Sequence, residues 1–260
     1  MENAMNNGVI EVKGVQIGAG KPVICVPVVA SDADGIVSNA QRILDAGIRM
    51  VEWRVDLFEG IADPQAVMDV LERLRPLFAE RILLFTIRTA KQGGQAVLSE
   101  KEIIRLNETA AATGVPDFVD LEFFEASKPQ REIRRLQDRG VKVIASHHDF
   151  EATPEDVILH MLMDQMSRGG ADIMKLAVMP QSVQDTLRLL QFTADTKEKY
   201  PDTPLVTMAM GGTGVLSRLC GELTGSCITF GAIGDVSAPG QLQAGELQTV
   251  LDIFHKGLGG

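Results

Sequence analysis

Short runs rich in β-branched residues alternate along the chain with longer stretches in which apolar residues recur every three or four positions. This alternation predicts βαβ units around a parallel sheet. Eight runs have the strand pattern: Val23–Val29, Met50–Val55, Ile82–Ile87, Phe118–Phe123, Lys142–Ser146, Ile173–Met179, Leu205–Met210 and Cys227–Ile233. A helical pattern follows each, over Gly35–Ala46, Pro64–Leu77, Glu100–Thr113, Gln130–Arg139, Pro154–Arg168, Ser182–Tyr200, Val215–Leu223 and Ala244–His255. Ser99 with Glu102, and Thr153 with Pro154 and Asp156, have the form of helix N-termini, where side-chain oxygens satisfy free backbone donors. Gly47, Gly114, Gly140 and Gly169 fall just past helix ends, where a residue tolerant of positive φ closes the last turn. Eight strand–helix units favour closure into a (β/α)₈ TIM barrel of the α/β class over an open sheet, and no GxGxxG follows the first strand. Ahead of the repeat, the alternating segment Val9–Ile17 runs into Gly18-Ala19-Gly20 and predicts a β-hairpin that closes the bottom of the barrel. The expectation is a single domain over residues 1–260, with the hairpin at about 9–20 and the barrel at about 21–257.

Composition narrows the function classes. Apolar residues make up 45% of the 260 and charged residues 23%, enough for a sizeable core and against wholesale disorder. The formal net charge of -10, with no long Lys/Arg run, gives no electrostatic footprint for nucleic acid or an anionic membrane. An anionic ligand therefore needs a few local arginines. Met1–Gly8 is polar, and nowhere do about 18 apolar residues run together, so the reading is cytoplasmic with no membrane partner. Cys25, Cys220 and Cys227 are odd in number and lack metal-ligand spacing, which favours buried free thiols. A homodimer through outer helices is common among barrel enzymes, but no feature of the sequence identifies such a face.

In a barrel of this kind chemistry collects at the C-terminal ends of the strands. Glu52 and Arg54 alternate with Val51, Trp53 and Val55, so they share the inner face of their strand, either as an ion pair that fixes register or as a pair holding substrate hydroxyls. Strand three ends in Arg88 and strand five in His147-His148-Asp149; strand seven leads through a Gly-rich turn to Arg218. Lys175 lies among apolar neighbours on strand six, where poor solvation would favour the free amine that attacks a carbonyl, unless the head snorkels to the barrel mouth. His148, on the adjacent strand, is a candidate general base. His160 and His255 read as ordinary helix residues, and no histidine has the spacing of a zinc site.

These residues resemble a known family, the type I 3-dehydroquinate dehydratases. The resemblance is carried by Val51-Glu52-Trp53-Arg54-Val55-Asp56, Leu84-Phe85-Thr86-Ile87-Arg88-Thr89, Asp120-Leu121-Glu122, Ser146-His147-His148-Asp149-Phe150, Lys175-Leu176-Ala177-Val178-Met179-Pro180-Gln181, Met208-Ala209-Met210, Thr213-Gly214-Val215-Leu216-Ser217-Arg218 and Ser237-Ala238-Pro239-Gly240-Gln241. It spans nearly the whole chain. It implies dehydration of 3-dehydroquinate to 3-dehydroshikimate in the shikimate pathway, without cofactor or metal. Lys175 would form the imine, His148 would act as general acid and base, and Arg218 would bind the substrate carboxylate. Glu52, Arg54, Arg88, Ser237 and Gln241 would contact the remaining polar groups. Independently of the resemblance, the loop Gly234–Gln241 is expected to be a mobile lid, because Gly234, Ser237, Pro239 and Gly240 lack core-forming side chains. The family typically carries a glutamate four residues after the strand-three arginine, where it orients and charges the catalytic histidine. Here that position is Gln92, which can accept the imidazole N–H but lacks the charge that favours imidazolium. Two rival readings share the barrel: a Schiff-base aldolase, and a binding protein without turnover because of Gln92.

Overall fold

The computed structural model describes residues 8–234 and 240–260. The predicted Ser237 and most of the lid segment, residues 235–239, lie outside the described residues.

Eight parallel strands run in one sheet: β3 (Val23–Val28), β4 (Met50–Arg54), β5 (Ile82–Thr86), β6 (Phe118–Glu122), β7 (Lys142–Asp149), β8 (Ile173–Val178), β9 (Leu205–Ala209) and β10 (Ile228–Ala232). From β3 to β9 each pairs with the next in chain order, and β10 pairs with β3. The curled sheet closes at its last seam through a parallel bridge between Leu205 and Ser226, where the Cys227 N–H donates to the Leu205 carbonyl at 2.8 Å. Strand residues divide by parity into two apolar layers. The odd-step set, including Val51, Trp53, Leu83, Phe85, Val143 and Leu176, packs outward against the helices. The alternate set, including Met50, Ile82, Leu84, Phe118, Ile144 and Ile173, fills the barrel interior. That parity places Trp53 outside and Glu52 inside, as the alternation predicts.

The hairpin β1 (Ile10–Val12) and β2 (Val15–Ile17) is antiparallel. Ile10 and Ile17 join the interior layer, so the hairpin covers the lower mouth with apolar side chains. Lys13 fixes it there, donating to the Phe78 and Arg81 carbonyls and to Asp117 at 2.7, 3.0 and 2.8 Å.

Helices α1 (Ala33–Asp45), α2 (Pro64–Leu74), α3 (Glu100–Ala112), α4 (Pro129–Gln137), α5 (Asp156–Arg168), α6 (Val183–Lys199) and α9 (Ala244–Gly257) form the outer ring. Several predicted boundaries shift. Ser99 and Glu102 make a reciprocal capping box at α3, but α5 begins at Asp156 without a side-chain cap. The Thr153 and Pro154 carbonyls are taken by Arg188 at 3.0 and 2.6 Å, which holds that stretch extended. Gly47, Gly114 and Gly140 have positive φ; Gly169 does not, and Gly170 takes that conformation at +81°. The helix predicted over Val215–Leu223 breaks at Cys220 into α7 (Leu216–Leu219) and α8 (Gly221–Thr224), because Gly221 packs so closely on Pro22 and Ser226 that even a Cβ would collide. Strand β7 runs on to Asp149, three residues beyond the predicted end, and a short β11 (Leu242–Gln243) adds to the edge of β10. All three cysteines are free and buried. No helix among the described residues is long and apolar enough to cross a membrane.

Candidate active site

One cavity of about 150 Å³ opens at the C-terminal ends of the strands. It gathers every described residue singled out for chemistry: Glu52, Arg54, Arg88, Gln92, His148, Lys175, Arg218 and Gln241. Apolar side chains, among them Met208, Met210 and Phe230, complete its wall. A small, partly apolar chamber with converging polar groups is the form a metabolite site takes.

Lys175 is buried in the middle of β8, and its inward direction follows from the same parity that buries Ile173 and Ala177 in the interior layer. The head does not snorkel to solvent. Nor is it alone among apolar groups: Nζ lies 3.1 Å from Asp120 Oδ2 and 4.6 Å from the centre of the Phe230 ring. Asp120 is almost fully buried; its other oxygen accepts from Ser146 Oγ and forms an ion pair with Arg88 Nη2 at 2.8 Å. Burial alone would raise its pKa, yet Arg88, Lys175 and Ser146 outweigh that and hold the carboxyl below the usual range.

Arg88 is surrounded by acceptors. Its guanidinium reaches Asp120 at 2.8 Å and Glu122 at 3.0 Å, and Ser146 Oγ at 3.1 Å. Burial works against the cation, but Asp120, Glu122 and Glu52 raise its pKa further above its ordinary value. Glu52 and Arg54 share a face but do not pair with each other. Glu52 accepts the Thr86 hydroxyl at 2.9 Å, while Arg54 forks onto both oxygens of Asp56 at 2.7 Å. Asp56 also accepts from the Gln95 backbone at 3.1 Å and so ties down the loop after β5.

That loop carries Gln92 at the end of a single 3₁₀ turn, Ala90–Gln92, closed by Gly93 in the left-handed region at φ +79°. Gln92 Oε1 accepts the His148 backbone N–H at 2.9 Å and lies 3.2 Å from His148 Nδ1. The backbone donor fixes which end of the amide faces His148, so Nδ1 carries the proton and Nε2 presents a lone pair. Asp149 is occupied elsewhere, capping the Glu151 and Ala152 backbone at 2.9 Å each. Desolvation, then Arg88, Lys175, His147 and Arg54, push the His148 pKa well below its ordinary value. A neutral imidazole is thus poised as a base. Gln92 Nε2 is buried without a partner among the described residues.

Arg218, buried on α7, lies beside Met208, its Nη1 3.9 Å from the Met208 sulfur, and its own carbonyl accepts Thr229 Oγ1 at 2.9 Å. Burial pushes its pKa down to about 10, which still leaves it cationic at neutral pH. The sequence reading gave no role to Asp56, Asp120, Ser146 or Phe230. Asp120 was within reach of it, because the alternation used for Glu52 and Arg54 also turns Asp120 and Glu122 inward. Phe230 carried no signal, since an aromatic on an apolar strand reads as core. His147 faces outward and stacks edge-on against Phe124 at 5.3 Å; His160 packs on Phe192 and His255 bonds Glu222 at 2.7 Å.

Residues 24–257 match the model of the type I 3-dehydroquinase family. The chain belongs to that family. It is 40% identical to a 3-dehydroquinate dehydratase of Clostridioides difficile over 96% of this chain and 98% of the relative. The figure for one from Listeria welshimeri is 43%, over 95% and 98%. Among solved structures, the 3-dehydroquinate dehydratase of Geobacillus kaustophilus superposes with a TM-score of 0.93 at 38% identity, covering 97% of this chain and 98% of that one. The Clostridium difficile type I enzyme with covalent modified comenic acid gives 0.92 at 40%, covering 96% and 98%. The superpositions on these solved enzymes agree with the observed barrel fold.

Proposed function

We propose that the protein is a 3-dehydroquinate dehydratase that works through a Schiff base on Lys175. The observation that carries this reading is a buried lysine Nζ sharing one 150 Å³ cavity with a neutral histidine and a buried arginine. Lys175 Nζ attacks the ketone carbon; a C–N bond forms, the carbonyl oxygen leaves as water, and a protonated imine results. His148 Nε2 takes the C2 proton, and the electron pair moves onto the imine nitrogen to give an enamine. The C1–O bond then breaks, with His148 returning a proton so that hydroxide departs as water, and hydrolysis of the conjugated imine frees the product and the amine. The imine nitrogen is the electron sink, so the chemistry calls for no metal or organic cofactor.

Arg218 is proposed to hold the substrate carboxylate, since an acidic protein needs a local cation and a guanidinium donates two parallel hydrogen bonds. Glu52, Arg54, Arg88, Gln241 and Ser237 are assigned to the remaining polar groups. We place the enzyme in the cytoplasm and treat the chain as one domain, supported by the continuous sheet that takes in every barrel strand. Borohydride reduction with 3-dehydroquinate present should label Lys175, mapped by mass spectrometry, while untreated enzyme forms an ultraviolet-absorbing enone. Label elsewhere, or full activity in Lys175→Ala, would overturn the assignment.

A further inference from the structure

We infer that Asp120 is the fixed counter-ion of the reacting nitrogen, placed so that the charge carried by the Lys175 ammonium is stabilised again when that nitrogen becomes a protonated imine. The inference rests on the Schiff-base reading above. Asp120 Oδ2 lies 3.1 Å from Nζ, and the opposite oxygen is pinned by Ser146 and Arg88, so the carboxylate cannot swing away. Both groups are almost fully buried, and an opposite charge at hydrogen-bond distance acts strongly there.

Charge on the nitrogen alternates through the cycle. It is positive as ammonium, neutral as attacking amine, positive as protonated imine, neutral as enamine, and positive again once the hydroxyl has left. A permanent anion favours each positive state. With Arg88 close by, an imine lacking that anion would lose its proton, and a neutral imine is a poor electron sink. Asp120 cannot itself be the proton shuttle, because its carboxyl is held below the usual range and stays ionised. Proton transfer is left to His148. Among the described residues, the other charged groups lining the cavity are Glu52 and Arg54 on β4, Arg88 after β5 and Arg218 on α7, and Cys25 on β3 also interacts with the ammonium, its thiol kept neutral by burial.

Asp120→Asn keeps the shape and removes the charge. At neutral pH its kcat should fall about tenfold or more, the equivalent of one unit of imine pKa, and should recover as pH is lowered and the imine regains its proton. A purely structural role would depress kcat equally at every pH. That result, or a folded Asn variant within about twofold of the parent, would overturn the inference. Should the variant fail to fold, the unmodified enzyme carries the test. With ε-¹⁵N-lysine incorporated and 3-dehydroquinate bound, the imine nitrogen should resonate as protonated from about pH 6 to 9. A neutral imine nitrogen there refutes the role of Asp120. Absence of any borohydride label on Lys175 of the unmodified enzyme would instead refute the Schiff-base reading itself.

Discussion

Gln92 shows how one side chain sets the state of another. Its carbonyl oxygen orients His148 through two contacts, at 2.9 and 3.2 Å, but supplies no negative charge to offset the desolvation that keeps the imidazole neutral. Gln92→Glu should therefore raise the His148 pKa, move the histidine-dependent limb of the kcat–pH profile to higher pH and increase kcat where a proton is donated. An unchanged profile would mean the pair does not set the rate. Arg218→Lys keeps a cation but loses the fork; KM for 3-dehydroquinate should rise about tenfold, as for a lost charge-assisted hydrogen bond, and steady-state kinetics will read it. At this scale residue types were legible in the sequence while pairings were not. Glu52 and Arg54 have the spacing of partners, yet each bonds a different neighbour, because Thr86 and Asp56 lie nearer in the folded site.

Elements position these side chains through a few tight approaches. Gly94 follows Gln92 in the loop after β5, and a Cβ there would sit 2.1 Å from the Arg88 carbonyl oxygen. Gly94→Ala must displace the turn, so it should lower kcat far more than it lowers thermal stability, as paired activity and melting measurements would show. The hairpin offers the converse test. Ile17 is fully buried beneath the barrel and distant from the chemistry; Ile17→Ala should cost about 2–5 kcal/mol in urea unfolding with kcat retained in the folded fraction. Strand and helix order could be read from periodicity, and Ser99 with Glu102 from local capping chemistry. The break at Cys220 and the late start of α5 could not. They arise from Pro22 and Arg188, which are distant in sequence and meet these segments only in the fold.

Over the whole molecule, burial of ionisable groups couples stability to pH. The folded-state pKa of His148 lies below its unfolded value of about 6.5, so the unfolded chain takes up that proton first as pH falls. Its stabilisation is complete above about pH 6.5 and is lost as pH drops through that value towards the folded one. Asp120 adds a second window: its folded pKa is also depressed, so its contribution holds above about 3.9 and is lost in stronger acid. Urea midpoints should decline on acidification below about pH 6.5, and His148→Asn should flatten the upper part of that decline. A slope unchanged in the variant would place the sensitivity elsewhere. The amino-acid sequence by itself determined the barrel and the side chains that face inward, because a period of two on strands and 3.6 on helices is a local property of the chain. It also carried the ordered motifs of the family. Tertiary structure alone decided that Asp120 faces Lys175 and that Arg88 is held by two carboxylates, whereas the contact of Gln92 with His148 was already expected from the family motif. Those contacts join residues from different strands and loops, and their charge states depend on burial, which exists only once the barrel has closed.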